Sequence, residues 1–152
     1  PEFKKNPQWL KLYAQGFIAV GDYVFAKKIL DHYLDQEAND DLLSIYSHCS
    51  VPKDSNVSAL SLIQKVELWL QKEPAHPGLH FALGKLCQQS QLWGKAVSSY
   101  QKVLDSPRVT NDMVLKAQLG MMHVHEALED HEKSAILQKE VLRLIMKSHP
   151  IV

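Results

Sequence analysis

Apolar residues recur every three to four positions along this chain, in segments separated by short polar breaks. Trp9, Leu10, Leu12, Tyr13, Phe17 and Ile18 predict a first helix entered at Pro7, because proline suits a first turn, where its missing N–H is not needed. Gly21-Asp22 breaks that helix, and Phe25, Ala26, Ile29, Leu30, Tyr33 and Leu34 predict a second. Asn39 and Asp40 are cap residues for a short helix reaching about His48, and Val51 to Asn56, with Pro52 inside, reads as a loop. Ala59, Leu62, Ile63, Val66, Trp69 and Leu70 predict a longer helix that stops before Glu73-Pro74, since a residue preceding proline is pushed out of the helical region.

The second half repeats this alternation. Leu83-Gly84-Lys85-Leu86-Cys87 and Ala96, Tyr100 and Val103 lie on two helices joined by a turn at Gln91 to Trp93. Thr110, Asn111 and Asp112 are cap candidates for a long helix running to Leu128. Glu129-Asp130 makes the next turn, and Ser134, Gln138, Val141, Leu142 and Ile145 mark a last helix ended by Pro150. Residues 1–6 are polar and read as a frayed end. The apolar alternation never holds period two, so about eight helices and no strand are expected.

Small residues organise the pairing. Ala14 and Ala26 stand twelve apart, as do Gly84 and Ala96, and small residues at a crossing let two helix axes approach closely. Leu30 and Tyr33 follow Ala26 at the spacing with which Tyr100 and Val103 follow Ala96. The two patterns are 70 residues apart, about two periods of the roughly 34-residue tetratricopeptide (TPR) repeat, whose skeleton they resemble. The reading is therefore all-α: a TPR-like right-handed superhelix of antiparallel helix pairs in one domain, 1–152. Its units are about 7–40, 41–76, 77–110 and 111–148. The unit at 41–76 is degenerate, and its short first helix is expected to leave little surface, widening the groove or distorting the superhelix. Ser134 replaces the expected alanine of the last unit and Gln138 the expected aromatic, as terminal repeats often depart from their pattern.

Charge narrows the partners. The chain has 17 Lys+Arg and 17 Asp+Glu, a formal net charge of zero, which argues against nucleic-acid or anionic-membrane binding, since both need a basic excess. No apolar run is long enough to span a membrane. The chain starts at Pro1 and reads as a fragment of a longer protein. Cys49 and Cys87 sit in apolar helical patterns and read as buried free thiols, which weakly favours a cytoplasmic setting.

No motif for catalysis stands out: there is no phosphate-binding glycine loop, nucleophile elbow or HExxH, and the protein is read as non-enzymatic with no cofactor. His123 and His125 are two apart and point to different faces of a helix. His76 and His80 have metal-compatible spacing, but Pro77 places His76 at a helix start, and both read as surface histidines. Met121, Met122, His123 and Cys87 would be the candidates for heme ligation, though a methionine row in a helical repeat reads first as core.

The first helix of each pair should line the inner groove. Its face opposite the core carries Lys11 and Gln15, then Phe81, Lys85, Gln88 and Gln89, then Lys116, His123 and Glu126. Lysines, amides and an aromatic suit a protein or peptide partner, and three lysines favour an acidic one. The packing set is Ala14, Ala26, Trp69, Gly84, Trp93, Ala96 and Tyr100.

A more specific likeness covers residues 66–100. Val66-Glu67-Leu68-Trp69-Leu70, Pro74, His76-Pro77, Leu83-Gly84-Lys85-Leu86-Cys87 and Leu92-Trp93-Gly94-Lys95-Ala96 resemble the C-terminal region of the bacterial protoheme IX biogenesis (HemY-like) family. Tyr13-Ala14-Gln15-Gly16 and Leu128-Glu129-Asp130-His131-Glu132 resemble its flanking segments. The resemblance implies an inner-membrane protein with N-terminal membrane helices and a soluble TPR domain, associated with late heme synthesis and partnered by heme-pathway enzymes. Glu129, where that family has a turn glycine, and Gln138, in place of a tyrosine, depart from the pattern.

Overall fold

The computed structural model describes residues 6–148, so the expectations for residues 1–5 and for Pro150 lie outside the described part. Among the described residues the chain forms eight helices and no strand: α1 (Pro7–Ala19), α2 (Tyr23–Leu34), α3 (Asp40–His48), α4 (Ala59–Lys72), α5 (Pro77–Gln89), α6 (Trp93–Asp105), α7 (Asn111–Ala127) and α8 (His131–Ser148). Most starts are set by a side chain that takes up an orphan N–H. Asn6, Asp22, Asn39, Ser58, Thr110 and Asp130 accept from Gln8, Phe25, Leu42, Ser61, Met113 and Lys133. His76 does the same with its ring nitrogen, 3.2 Å from the Leu79 nitrogen. The exception is α6, whose N-cap is Leu92, with no side-chain cap bond. Trp93 is the first residue of α6 rather than part of the turn.

Helices α1, α3, α5 and α7 lie side by side in chain order, and α2, α4 and α6 each pack onto the helix that follows them. The fold is all-α and TPR-like. Three of its hairpins close with one geometry. Asp22, Leu92 and Asp130 each donate a backbone bond of 2.8 Å to a carbonyl five residues earlier, on Phe17, Cys87 and His125. The residue before each is left-handed: Gly21 at φ 86°, Gln91 at 60° and Glu129 at 59°. These are Schellman closures, which satisfy the last carbonyls of a helix. Glu129 therefore makes the same turn as Gly21 despite its side chain.

At the first and third crossings, Ala14, Ala26 and Ala96 have no exposed surface. The second pair differs. Counted four residues past the N-cap, Ala26, Ala96 and Ser134 have Leu62 as their counterpart in α4, and it is fully buried. A branched side chain at the contact holds two helices apart, and α3 lies closer to α1, α2 and α5 than to α4. Aromatic side chains span the gap, with the Tyr46 and Trp69 rings 5.2 Å apart. Two carboxylates one turn apart, Asp31 in α2 and Asp35 at its C-cap, hold both. Tyr46 donates its hydroxyl to Asp31 at 2.5 Å, and Trp69 Nε1 donates to Asp35 at 2.8 Å. Burial and the Asp31 carboxylate push the Tyr46 hydroxyl far above its usual range.

Several apolar residues expected inside are on the surface. Trp9, Leu12, Tyr13 and Phe25 at one end, and Leu142 and Ile145 at the other, are exposed, as is Gln138. Each lies on a helix that has no further described pair on its outer side. Conversely, His80 is buried rather than superficial. Its Nε2 lies 2.6 Å from the Pro74 carbonyl. Both thiols are buried, and burial pushes Cys49 up to about 11.

Candidate partner-binding cleft

Three first helices, α3, α5 and α7, enclose a cleft of about 370 Å³. Its position follows from how α3 meets α5. A methyl group on Gly78 would overlap the Asp40 carboxylate, 2.0 Å from Oδ1. Only a bare backbone admits that carboxylate, and it sits in the favourable field of the α5 N-terminus. The same contact seats the start of α3 on the start of α5, and α7 closes the other side.

Phe81, Lys85 and Lys116, all expected on the groove, line this cleft together. Phe81 is half-buried, its ring 5.8 Å from that of Tyr100. Lys85 is half-buried and makes no ion pair among the described residues. Lys116 is exposed and pairs with Asp112 at 3.0 Å, one turn earlier on α7. Such a surface pair is weak and exchanges easily for another carboxylate.

The other expected groove residues are elsewhere or otherwise engaged. Gln88 accepts the Tyr100 hydroxyl at 2.6 Å and so braces the α5–α6 packing. Gln89 and His123 are exposed but are not among the residues lining the cleft. Glu126 is also outside it, with its carboxylate 3.5 Å from His131 Nδ1. Lys11, half-buried, and Gln15, exposed, lie on α1 away from the lining. The members of the packing set Ala14, Ala26, Trp69, Gly84, Ala96 and Tyr100 are buried, and Trp93 is half-buried against the core.

The sequence pattern places α3 correctly, from Asp40 to His48, but assigns it no residue of the groove. Asp41, Ser44 and His48 line the cleft from that helix, so α3 forms a wall instead of leaving a gap. Their spacing of three and four residues was the available signal, since it puts them on one helix face. Ser47 donates to the Leu43 carbonyl at 2.9 Å, and His48 Nδ1 bonds the Ser44 carbonyl at 2.7 Å. The lining thus sets two lysines, Lys85 and Lys116, and the Phe81 ring among three carboxylates, Asp40, Asp41 and Asp112. His76 and His80 do not converge: one ring nitrogen caps α5 and the other side chain bonds Pro74. Among the described residues no cluster of three or more His, Cys, Asp or Glu could hold a metal. Nor is any described helix long and apolar enough to cross a membrane.

A second, larger groove runs between α4 and α6 on the opposite layer, about 680 Å³ in volume. Glu67 of α4 and Lys95 of α6 are joined across it at 2.6 Å.

No model of a known protein family matches this chain, and no curated protein matches it. Solved structures do. MamA from Desulfovibrio magneticus RS-1, residues 41 to the end, superposes with a TM-score of 0.65 at 16% identity, covering 97% of this chain and 79% of that one. A MamA RS-1 double mutant gives 0.64 at 16% identity with the same coverage. MamA AMB-1 gives 0.56 at 14% identity, covering 95% and 74%. At these identities the likeness establishes a shared helical-repeat fold.

Proposed function

We propose that this protein is a non-catalytic scaffold that docks an acidic segment of a partner protein in the cleft between α3, α5 and α7. The observation carrying this reading is the juxtaposition, in one cleft, of half-buried Phe81 with Lys85, which makes no ion pair among the described residues. A cation beside an aromatic receives a carboxylate and an apolar side chain from one ligand segment. The TPR-like fold supports the choice, since stacked helix pairs build extended concave binding surfaces.

The resemblance at residues 66–100 points to a partner class. The chain would be the soluble domain of a membrane-anchored protein of the bacterial inner membrane, and the docked protein an enzyme of late heme synthesis. Motif likeness alone supports this finer reading. Affinity capture of those enzymes with the wild-type chain and with a Lys85→Glu, Lys116→Glu variant tests both levels. Capture lost in the variant supports the cleft; undiminished capture refutes it; capture of acidic partners from another pathway refutes the heme assignment alone. The cleft is proposed to act without a cofactor. A Soret shift on titration with heme, abolished by His123→Ala, would replace that with a carrier role.

A further inference from the structure

Within this chain α4 lies along the face made by α5 and α6, and that face contributes His80, Leu83, Lys95, Ser99, Lys102 and Asp105 to the groove between them. Seventy residues earlier stand Leu10, Tyr13, Phe25, Ile29, His32 and Asp35. Those six residues line one groove of about 470 Å³ on α1 and α2. The α1–α2 face is thus built at the same positions as the one that receives α4, and no described helix covers it. Tyr13 is 44% exposed where its counterpart Leu83 is 7% exposed. Tyr13, Phe17 and Phe25 form a continuous aromatic row there, with ring centroids 5.1 and 4.5 Å apart.

The other end of the molecule presents the complement. From α4 and the turn just past its end, the groove is lined by Glu67, Leu70, Gln71 and Pro74. Counted from the N-caps Ser58 and Asp130, the matching row on α8 is Lys139, Leu142, Arg143 and Met146. All four are exposed, Leu142 at 52% and Met146 at 54%. From this register we infer that α8 of one copy docks on the α1–α2 face of a second copy, as α4 docks on α5 and α6 within the chain. The side chains agree with that placement. Lys139, in the place of Glu67, meets Phe25 in the place of Lys95, an ion pair becoming a cation–aromatic contact. Arg143, in the place of Gln71, enters the groove lined by Asp35, whose Oδ1 already holds Lys65 and Trp69 of α4 but whose side chain is still 46% exposed.

The two surfaces differ, so the contact is head-to-tail and leaves a free face at each end of every assembly. The chain then grows by successive addition instead of stopping at a symmetric dimer. Sedimentation velocity with light scattering, over a wide concentration range, tests this on the whole chain. The wild type is expected to pass through dimer, trimer and higher species without a plateau. Tyr13→Asp and Leu142→Asp are each expected to remain monomeric, with circular dichroism confirming that both fold. An equimolar mixture should form a 1:1 dimer and stop, because each variant keeps the face the other lost. A wild type monomeric at every concentration would overturn the inference, as expected if another protein covers the face. So would a dimer abolished by Tyr13→Asp but untouched by Leu142→Asp, which means two α1–α2 faces back to back. A mixture that stays monomeric also overturns it. The Lys85→Glu, Lys116→Glu variant should assemble like the wild type, which separates this result from the fate of the cleft.

Discussion

A methyl group on Gly84 would stand 2.6 Å from Cε1 of Tyr100, well inside contact distance. The other edge of the same ring lies as close to Gly120, where a methyl would meet Cζ at 2.5 Å. Tyr100 of α6 is therefore held between the bare backbones of α5 and α7, fully buried. Gly84→Ala and Gly120→Ala are each expected to lower the unfolding free energy by about 1–3 kcal/mol, the usual cost of overpacking. That exceeds the helix-propensity gain of up to about 1 kcal/mol. Urea unfolding checks it, and in a Tyr100→Leu background the glycine substitutions should cost little or become favourable.

Leu92 occupies the N-cap of α6 with no side-chain bond, while Asp22 and Asp130 cap the corresponding helices α2 and α8. Leu92→Asp should add the missing acceptor and a favourable charge at the helix start. The expected gain is about 1 kcal/mol, read as a raised Tm. An unchanged or lowered Tm would show that the half-exposed leucine contributes more by packing.

His80 ties stability to pH. Burial lowers the pKa of its imidazole from 6.5; the Pro74 carbonyl opposes this, and Lys102 and His76 reinforce it. The folded state thus binds the proton less readily than the unfolded chain, so His80 adds stability that is fully present above pH 6.5. That contribution falls away as pH drops below this value toward the folded pKa. His80→Gln should flatten this part of the stability profile. A profile of unchanged slope in the variant would remove His80 as its source.

The Asp35 carboxylate is the anchor of α4 on α2. Burial alone would raise its pKa, but the hydrogen bonds from Lys65 and Trp69, with the charges of Lys65 and Lys72, bring it below the ordinary value. A double-mutant cycle of Asp35→Asn with Trp69→Phe should show coupling of about 1 kcal/mol, reduced by the partial exposure of Asp35. The coupling should vanish when acid protonates the carboxylate.

Much of this architecture was readable because local chemistry and packing agree. Ala14, Ala26, Gly84 and Ala96 announce their crossings, and Asn39, Pro7 and Gly21 announce helix ends, from residue type and spacing alone. What escaped depends on contacts between units. Nothing local says that the Asp40 carboxylate is seated over Gly78, which is what turns α3 into a wall of the cleft. Gln88 has the polarity of a groove residue, yet its oxygen is taken by Tyr100, twelve residues on. His80 looked superficial because histidine usually is, and only the return of the chain at Pro74 buries it. The apolar rows of α1 and α8 read as core because periodicity reports which face is greasy and not whether anything lies against it.

Leu62, by keeping α3 away from α4, interrupts the backbone-to-backbone packing that links neighbours elsewhere. In a linear array each unit draws its stability from those beside it, so an unfolding front travels easily along continuous stretches and pauses at such a seam. Amide hydrogen exchange should therefore divide the molecule there, with the protons of α1 to α3 released as one cohort and those of α4 to α8 as another.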